Sequence, residues 1–382
     1  MADFFDNFLT ETDRMIRDSA TKFATKEIRP FADAWEEAGE FPRELYDKAA
    51  KSGLLGIGFP EDVGGVGGGA MAQVMAIEGM MRGGSTGVSV GLGSLGIALP
   101  PIVQSQNADL IDRFVRPALA GKKIAALAIT EPGTGSDVSA VTTRAVKDGD
   151  HYIVNGAKLY ITSGVRADFL TTLVRTSDDP HGGLSFLVIE KSMPGVEVSR
   201  ALRKTGWWAS DTAELAFQDV RVPATNLVGD EGSGFFTLMQ NFQNERLALA
   251  AYGVATATMA FEECRTWIDE RKVFGRPLSK FQVTRHKMAD MATRLAATKT
   301  FMYQVASRVD QGEYLVGEVS MAKNLAAELA VDVTYEAVQL FGGMGYMRET
   351  LVERLSRDAR LLPIGGGTQE IMKEIIAKNL GL

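Results

Sequence analysis

Ala128-Ile129-Thr130-Glu131-Pro132-Gly133-Thr134-Gly135-Ser136-Asp137 is the stretch whose reading decides the fold. It opens on the end of an apolar run, and Pro, two Gly and Asp make the rest a polar turn. Small residues let the backbone approach a flat ligand, and Thr130 and Ser136 supply hydroxyls; taken alone, it serves equally well as a structural turn after a strand. The chain changes character on both sides of it. Downstream, His151-Tyr152-Ile153-Val154 meets Asn155-Gly156, which predicts a hairpin turn, and 169–174, 184–189 and 213–222 are short strand-like runs between turn residues. Upstream, through residues 1 to about 121, Phe8-Leu9, Ile16, Phe23, Ile28 and Phe31 recur at helical spacing. A Gly-rich stretch at 60–70 interrupts that pattern before it resumes over 71–81. From 233 on, four long helices are predicted at 233–270, 281–311, 313–341 and 367–380, the third ended by Gly342-Gly343. Met288, Met291, Leu295 and Met302 read as a core stripe. The expected class is α+β: an N-terminal α-helical domain (1–121), a middle β-barrel-like sheet domain (122–232) and a C-terminal four-helix bundle (233–382).

Bulk properties agree with a multidomain enzyme-sized protein. A length of 382 residues exceeds one ordinary core. Hydrophobic content of 45% and charged content of 23% are those of a soluble globular chain. A net charge of −7 argues against nucleic-acid binding. One cysteine, Cys264, excludes an intramolecular disulfide and fits a reducing compartment. No window holds eighteen uninterrupted apolar residues, so no membrane span is expected. Residues 1–18 mix acids with apolar residues and resemble neither a secretory signal nor a transit peptide. The expected location is the cytoplasm, or a mitochondrial matrix after processing. No metal site is expected.

Several further segments carry chemistry. Gly91-Leu92-Gly93-Ser94-Leu95-Gly96 matches the dinucleotide fingerprint, but it lies in a helical region without a strand–turn–helix unit, and close helix packing explains it better. Asn155-Gly156-Ala157-Lys158-Leu159-Tyr160-Ile161-Thr162-Ser163-Gly164 offers an aromatic ring and the Thr162 hydroxyl. Lys204-Thr205-Gly206-Trp207-Trp208-Ala209-Ser210 holds two Trp residues, read as core rather than as a surface for an electron acceptor. Arg271-Lys272-Val273-Phe274-Gly275-Arg276, followed by Gln282, offers guanidinium groups suited to a pyrophosphate. Near the end, Leu362-Pro363-Ile364-Gly365-Gly366-Gly367-Thr368-Gln369-Glu370 is a loop rich in Gly. Far upstream, Asn241-Phe242-Gln243-Asn244-Glu245-Arg246 carries an acid beside an Arg on a helix, ordinarily a surface ion pair.

In this order, and over nearly the whole chain, these segments resemble the flavin-dependent acyl-CoA dehydrogenases. The resemblance places Leu127, Thr130 and Ser136 against the isoalloxazine of FAD, with Ser136 also near the thioester. Tyr160, where the family usually has Trp, covers a flavin face, and Thr162 lies near N5. Arg271, Phe274, Gln282, Gln339, Gly342 and Gly343 are implied to reach an FAD held mainly by a neighbouring subunit, in a homotetramer built as a dimer of dimers. Thr368 and Glu370 resemble FAD-contacting positions. In most of the superfamily the C-terminal loop reads Tyr-Glu-Gly-Thr and its Glu removes the substrate α-proton; this chain has Gly365, Gly366, Gly367 and Thr368 there. The isovaleryl-CoA and long-chain branches also lack that Glu and use one on a helix just before an Arg, which Glu245-Arg246 matches.

The implied reaction converts an acyl-CoA to a trans-2-enoyl-CoA. Glu245 is the expected base, and the Gly366 N–H is expected to donate to the thioester oxygen, where charge develops. Gln243, Asn244, Arg246, Gly365 and Gly367 are expected to contact substrate. Gly365 widens the acyl pocket relative to Tyr, which suits a medium-to-long or branched acyl group. Glu349, Glu353 and Glu370 are the competing carboxylates. An electron-transfer flavoprotein is the implied electron acceptor. Alternatives on the same scaffold are an acyl-CoA oxidase, disfavoured because the chain ends at Leu382 without the usual extra domain, an eliminase, and a non-catalytic acyl-binding or assembly relative.

Overall fold

The computed structural model describes residues 5–382; the first four positions of the expected N-terminal domain lie outside the described residues. The order of elements is helical, then sheet, then helical. The N-terminal part contains α1 (Glu11–Glu27), α2 (Ala32–Ala38), α3 (Glu44–Lys51), α4 (Ala70–Met81) and α5 (Thr86–Gly93), followed by short helical turns down to Leu119. Helix α1 begins with a capping box: the Thr10 hydroxyl accepts from the Asp13 N–H, and Asp13 accepts from the Thr10 N–H. The stretch Thr86–Gln104 is long and apolar enough to cross a membrane, but 67% of it is buried in the protein and it is broken into short helices. It therefore reads as core, between the helices and the sheet.

The middle part is one eight-stranded sheet. Its strands are β1 (Ala125–Ala128), β2 (Arg144–Asp148), β3 (His151–Thr162), β4 (Phe169–Arg175), β5 (Leu184–Glu190), β6 (Val196–Ala201), β7 (Thr212–Pro223) and β8 (Leu227–Val228). The order is β6-β7-β3-β2-β4-β5-β8, with β1 parallel to β4. Strands β4 and β5 are buried on both faces, as their continuous apolar runs require.

Asn155-Gly156 is not the predicted hairpin turn. The turn lies earlier, at Gly149-Asp150, because Asp148 pairs with His151. Asn155-Gly156 instead sits inside β3 at a register shift against β7. Gly156 is required there: its φ is +151°, and a Cβ would lie 2.5 Å from the Thr143 hydroxyl. Asn155 uses its amide to bridge the Asp219 side chain and backbone N–H.

The C-terminal part contains α6 (Gly234–Glu270), α7 (Gln282–Asp310), α8 (Val316–Phe341), α9 (Leu351–Ala359) and α10 (Gln369–Asn379). The helix α9 was not anticipated from sequence. Helix α6, 37 residues long, spans about 55 Å at 1.5 Å per residue. Small residues bring α6 and α8 together: a Cβ on Gly253 would lie 2.6 Å from the Ala326 carbonyl oxygen. Gly342 ends α8 as expected, with φ +62° and ψ −137°, a backbone open to Gly but outside the left-handed helical conformation of many helix stops.

Candidate active site

A cavity of about 960 Å³ lies where the three parts meet. Its sheet wall contains Leu127, Ile129, Thr130, Gly135, Ser136, Tyr160 and Thr162. The bundle wall contains Asn244, Glu245, Arg246 and Leu249 from α6, and Gly365 to Thr368 from the loop before α10. Beyond these, Ile77, Met80, Val90, Leu92, Leu249 and Tyr252 make an apolar recess between the N-terminal helices and α6.

The sheet wall is held from behind. The Lys158 side chain, fully buried, donates to the Ile129 carbonyl at 2.8 Å and to Glu131 Oε1 at 2.9 Å. Glu131 also accepts from the Thr142 N–H, the Thr142 hydroxyl and the Thr143 N–H. Burial alone would raise the Glu131 pKa, but the Lys158 charge and these hydrogen bonds hold it at about 2. Burial in turn pushes Lys158 down to about 8 against the Glu131 charge. The Leu159 N–H donates to the Thr130 carbonyl, tying the turn to β3. A second register shift, between Lys158 and Ile161, gives Tyr160 a φ of +61° and leaves its ring 66% exposed. A cost of about 1–3 kcal/mol for such a backbone marks a site that uses the direction it gives. The hydroxyls of Thr130, Ser136 and Thr162 make no hydrogen bond within the described residues, and a Cβ on Gly135 would meet nothing within 4 Å. A planar ligand with several acceptors fits this wall.

The bundle wall places a carboxylate opposite glycines. Gly366 and Gly367 have φ of +64° and +97°, a region open to Gly and strained for other residues. Glu245 Oε1 lies 3.7 Å from where a Cβ on Gly366 would stand. Glu245 is half-buried. Burial pushes its pKa up to about 6, against the Arg246 and Lys323 charges, which lower it. The Arg246 Nε donates to the Gly366 carbonyl at 3.3 Å and the Lys323 Nζ to the Gly367 carbonyl at 2.7 Å. The Gly366 N–H makes no hydrogen bond within the described residues and is free to donate to a ligand.

The structure thus gathers Leu127, Thr130, Ser136, Tyr160, Thr162, Asn244, Glu245, Arg246, Gly365, Gly366, Gly367 and Thr368 around one cavity. Gln243 is not in the wall; its Oε1 is buried without a partner. Glu370 is exposed at the start of α10, and Thr368 caps that helix. Arg271, Phe274, Gln282, Gln339, Gly342 and Gly343 are exposed and line no part of this cavity. They share the far end of the bundle, where the Trp267 ring stacks on Phe341 at 4.5 Å and its indole N–H donates to the Leu340 carbonyl. Phe274, in the turn between Lys272–Val273 and Arg276–Pro277, is 97% exposed.

Sequence reading missed several contributors. Gly93 and Gly96 of the rejected fingerprint line the cavity, while Gly91 packs as expected, with a Cβ position 2.5 Å from the Phe41 ring. Trp207 is buried, as read, yet lines the cavity, and Trp208 carries the Arg348 and Arg357 guanidinium groups 4.3 and 3.7 Å from its ring centre. Lys323 gave no signal beyond a lone cation in an apolar helix.

Three family models match the chain in succession: acyl-CoA dehydrogenase N-terminal domain over residues 10–122, middle domain over 126–220 and C-terminal domain over 232–381. The mitochondrial long-chain specific acyl-CoA dehydrogenase of Mus musculus is 40% identical over 376 residues, covering 98% of this chain and 87% of the relative. The caffeyl-CoA reductase-Etf complex subunit CarC of Acetobacterium woodii is 36% identical over 97% of this chain and 98% of its own. The crystal structure of a "probable acyl CoA dehydrogenase" from Mycobacterium abscessus superposes with a TM-score of 0.96 at 54% identity, covering 98% of this chain and 100% of that one. The three models in succession span nearly the whole chain, and the chain belongs to the acyl-CoA dehydrogenase family of FAD-dependent oxidoreductases.

Proposed function

We propose that this chain dehydrogenates an acyl-CoA thioester to the trans-2-enoyl-CoA with Glu245 as the base. The observation that carries this reading is the Glu245 carboxylate oxygen 3.7 Å from the missing Cβ of Gly366. From a helix it stands within van der Waals reach of the point where a loop side chain would begin, beside Leu249, whose Cδ1 lies closer still to that point. FAD, when bound, supplies the acceptor for the β-hydride. Glu245 takes the α-proton, and its raised pKa brings it closer to the acidity of a working base at neutral pH. The unpaired Gly366 N–H faces the position of the thioester oxygen, where negative charge develops. Thr130, Ser136, Tyr160 and Thr162 present free hydroxyls and a ring to the flavin, and Thr368 and Glu370 lie beside the loop. Asn244, Arg246, Gly365 and Gly367 contact substrate.

The apolar recess at Ile77, Met80 and Val90 supports a medium-to-long or branched acyl group. The exposed set at Arg271, Phe274, Gln282, Gln339, Gly342 and Gly343 supports a second copy of the chain whose FAD these residues reach, in a homotetramer. The Acetobacterium woodii relative, a subunit of an Etf complex, supports an electron-transfer flavoprotein as acceptor. Domain boundaries near 121/122 and 232/233 and a cytoplasmic or matrix location complete the reading.

The test is anaerobic mixing of the purified flavoprotein with straight and branched acyl-CoAs, following flavin bleaching near about 450 nm. Bleaching that is lost in Glu245→Gln supports the reading. Full turnover in that variant refutes the base, and no bleaching by any thioester refutes the dehydrogenase activity.

A further inference from the structure

Three consecutive glycines are a poor platform for a hydrogen-bond donor, because Gly has the most backbone freedom to lose. Here the loop is strapped by two helices. Helix α6 supplies Arg246, whose Nε donates to the Gly366 carbonyl, and α8 supplies Lys323, whose Nζ donates to the Gly367 carbonyl. One residue further along α8, Asn324 Nδ2 donates to the Gln369 carbonyl, and the Gln369 amide donates to Glu328 of the same helix. On the other side, the Gly365 N–H is held by the Leu361 carbonyl. The peptide unit after Gly366 is thus held by Arg246, the next by Lys323 and the one before Gly365 by Leu361, so the Gly365–Gly366 unit, whose N–H is unpaired, is bracketed on both sides. Lys323 is fully buried, which is an expensive place for a cation unless its position matters.

We propose that Lys323 is a positioning residue for the dehydrogenation: with Arg246 it clamps the Gly366 and Gly367 carbonyls, aims the Gly366 N–H at the thioester oxygen, and sets a second cation beside Glu245. The electrostatic half rests on Glu245 being the base. The charged groups facing Glu245 are Arg246 on its own helix and Lys323 on α8. Lys323 in turn faces Arg246, Glu245 and Glu370, and Arg246 faces Glu245 and Tyr314. Burial and Arg246 bring Lys323 down to about 8 against the two carboxylates. Lys323 stays charged over the interval in which Glu245 ionises, and favours the ionised base there.

Reduction of the bound flavin by the fastest acyl-CoA is measured by stopped flow from about pH 5.5 to about pH 9, bracketing both groups. The enzymes compared are wild type, Lys323→Met, Lys323→Gln, Lys323→Arg and Glu245→Gln, each with FAD content and Tm. Lys323→Met is expected to lower the limiting rate about tenfold or more while thioester affinity changes less than about threefold. Its acidic limb is expected to move up by about half a unit, since removing a cation disfavours the carboxylate. Lys323→Arg restores rate and limb; Lys323→Gln, a donor without charge, restores part of the rate and keeps the displaced limb. A Lys323→Met enzyme with wild-type rate and limb overturns the proposal. So does loss of FAD and Tm in all three variants together, which would make Lys323 a determinant of folding alone. Full activity in Glu245→Gln refutes the base and leaves the clamp to be judged on the limiting rate.

Discussion

Glu131, behind the sheet wall of the cavity, and Glu245, in its bundle wall, each have a buried lysine nearby, and the protein drives them in opposite directions. Glu131 is held at about 2 and Glu245 is pushed up to about 6. Burial opposes ionisation in both. The difference is hydrogen bonding: both oxygens of Glu131 are saturated by four donors, whereas Glu245 accepts none among the described residues and feels only the charges of Arg246 and Lys323. A saturated carboxylate has no lone pair to offer and is a structural pin. A desolvated, unsaturated one is suited to take a proton, the role proposed for Glu245. On the proposed reading, the sheet wall binds and the bundle wall reacts.

The sharpest way to break this contrast is Glu245→Gln, which keeps shape and removes basicity. Flavin reduction by acyl-CoA is expected to fall by about 10²–10⁴-fold, with thioester binding, read from the perturbed flavin spectrum, retained. Glu131→Ala is the complementary change. It strands the Lys158 ammonium in the interior and is expected to cost about 3–5 kcal/mol of stability, measured by denaturant unfolding of the holoprotein. A turnover defect in Glu131→Ala without loss of stability would contradict its assignment as a pin.

Gly253→Val acts on the support of the bundle wall. The added side chain meets the Ala326 carbonyl and forces apart α6, which carries Glu245, and α8, which carries Lys323. A loss of about 1–3 kcal/mol is expected, visible as a lowered Tm.

The smallest expected effect comes from pH. Glu245 must be unprotonated to act, so kcat/KM is expected to fall on the acid side of about pH 6, approaching tenfold per unit, as acid protonates it. Because its folded pKa lies above its ordinary 4.5, the folded state holds its proton more tightly, and stability from this group declines as pH rises from 4.5 to about 6. Glu131 has the opposite sign. Its stabilisation is complete above 4.5 and is lost as pH falls toward about 2. An activity profile flat through pH 6, or acid unfolding unchanged in Glu131→Gln, would remove the distinction between the two carboxylates.

Local pattern made much of this legible. The helical–sheet–helical order follows from apolar periodicity, and the polar turn at Thr130–Asp137 and the Glu245-Arg246 and Gly365-Gly366-Gly367 segments were identifiable because each departs from ordinary composition. The Asn155-Gly156 reading failed for a physical reason: the residues that favour a tight turn also suit a bulge, and the choice between them is made by which strand lies alongside. Tyr160 was visible as an aromatic, but its aim into the cavity depends on the shift between Lys158 and Ile161 against β7.

By itself, the sequence determined the order of the three parts, the chemical groups available to the site, and the absence of a carboxylate from Gly365 to Thr368. Each of these is set within a few residues along the chain. Tertiary structure decided which groups meet. It brought Arg246 onto the Gly366 carbonyl across 120 residues of chain, put Lys158 onto Glu131, and set Lys323 on the Gly367 carbonyl. It also left Gln243 and the residues around Arg271 outside the cavity. Distances between segments, and the pKa values that burial and neighbouring charges impose, depend on packing between helices and sheet, and no local periodicity carries that information.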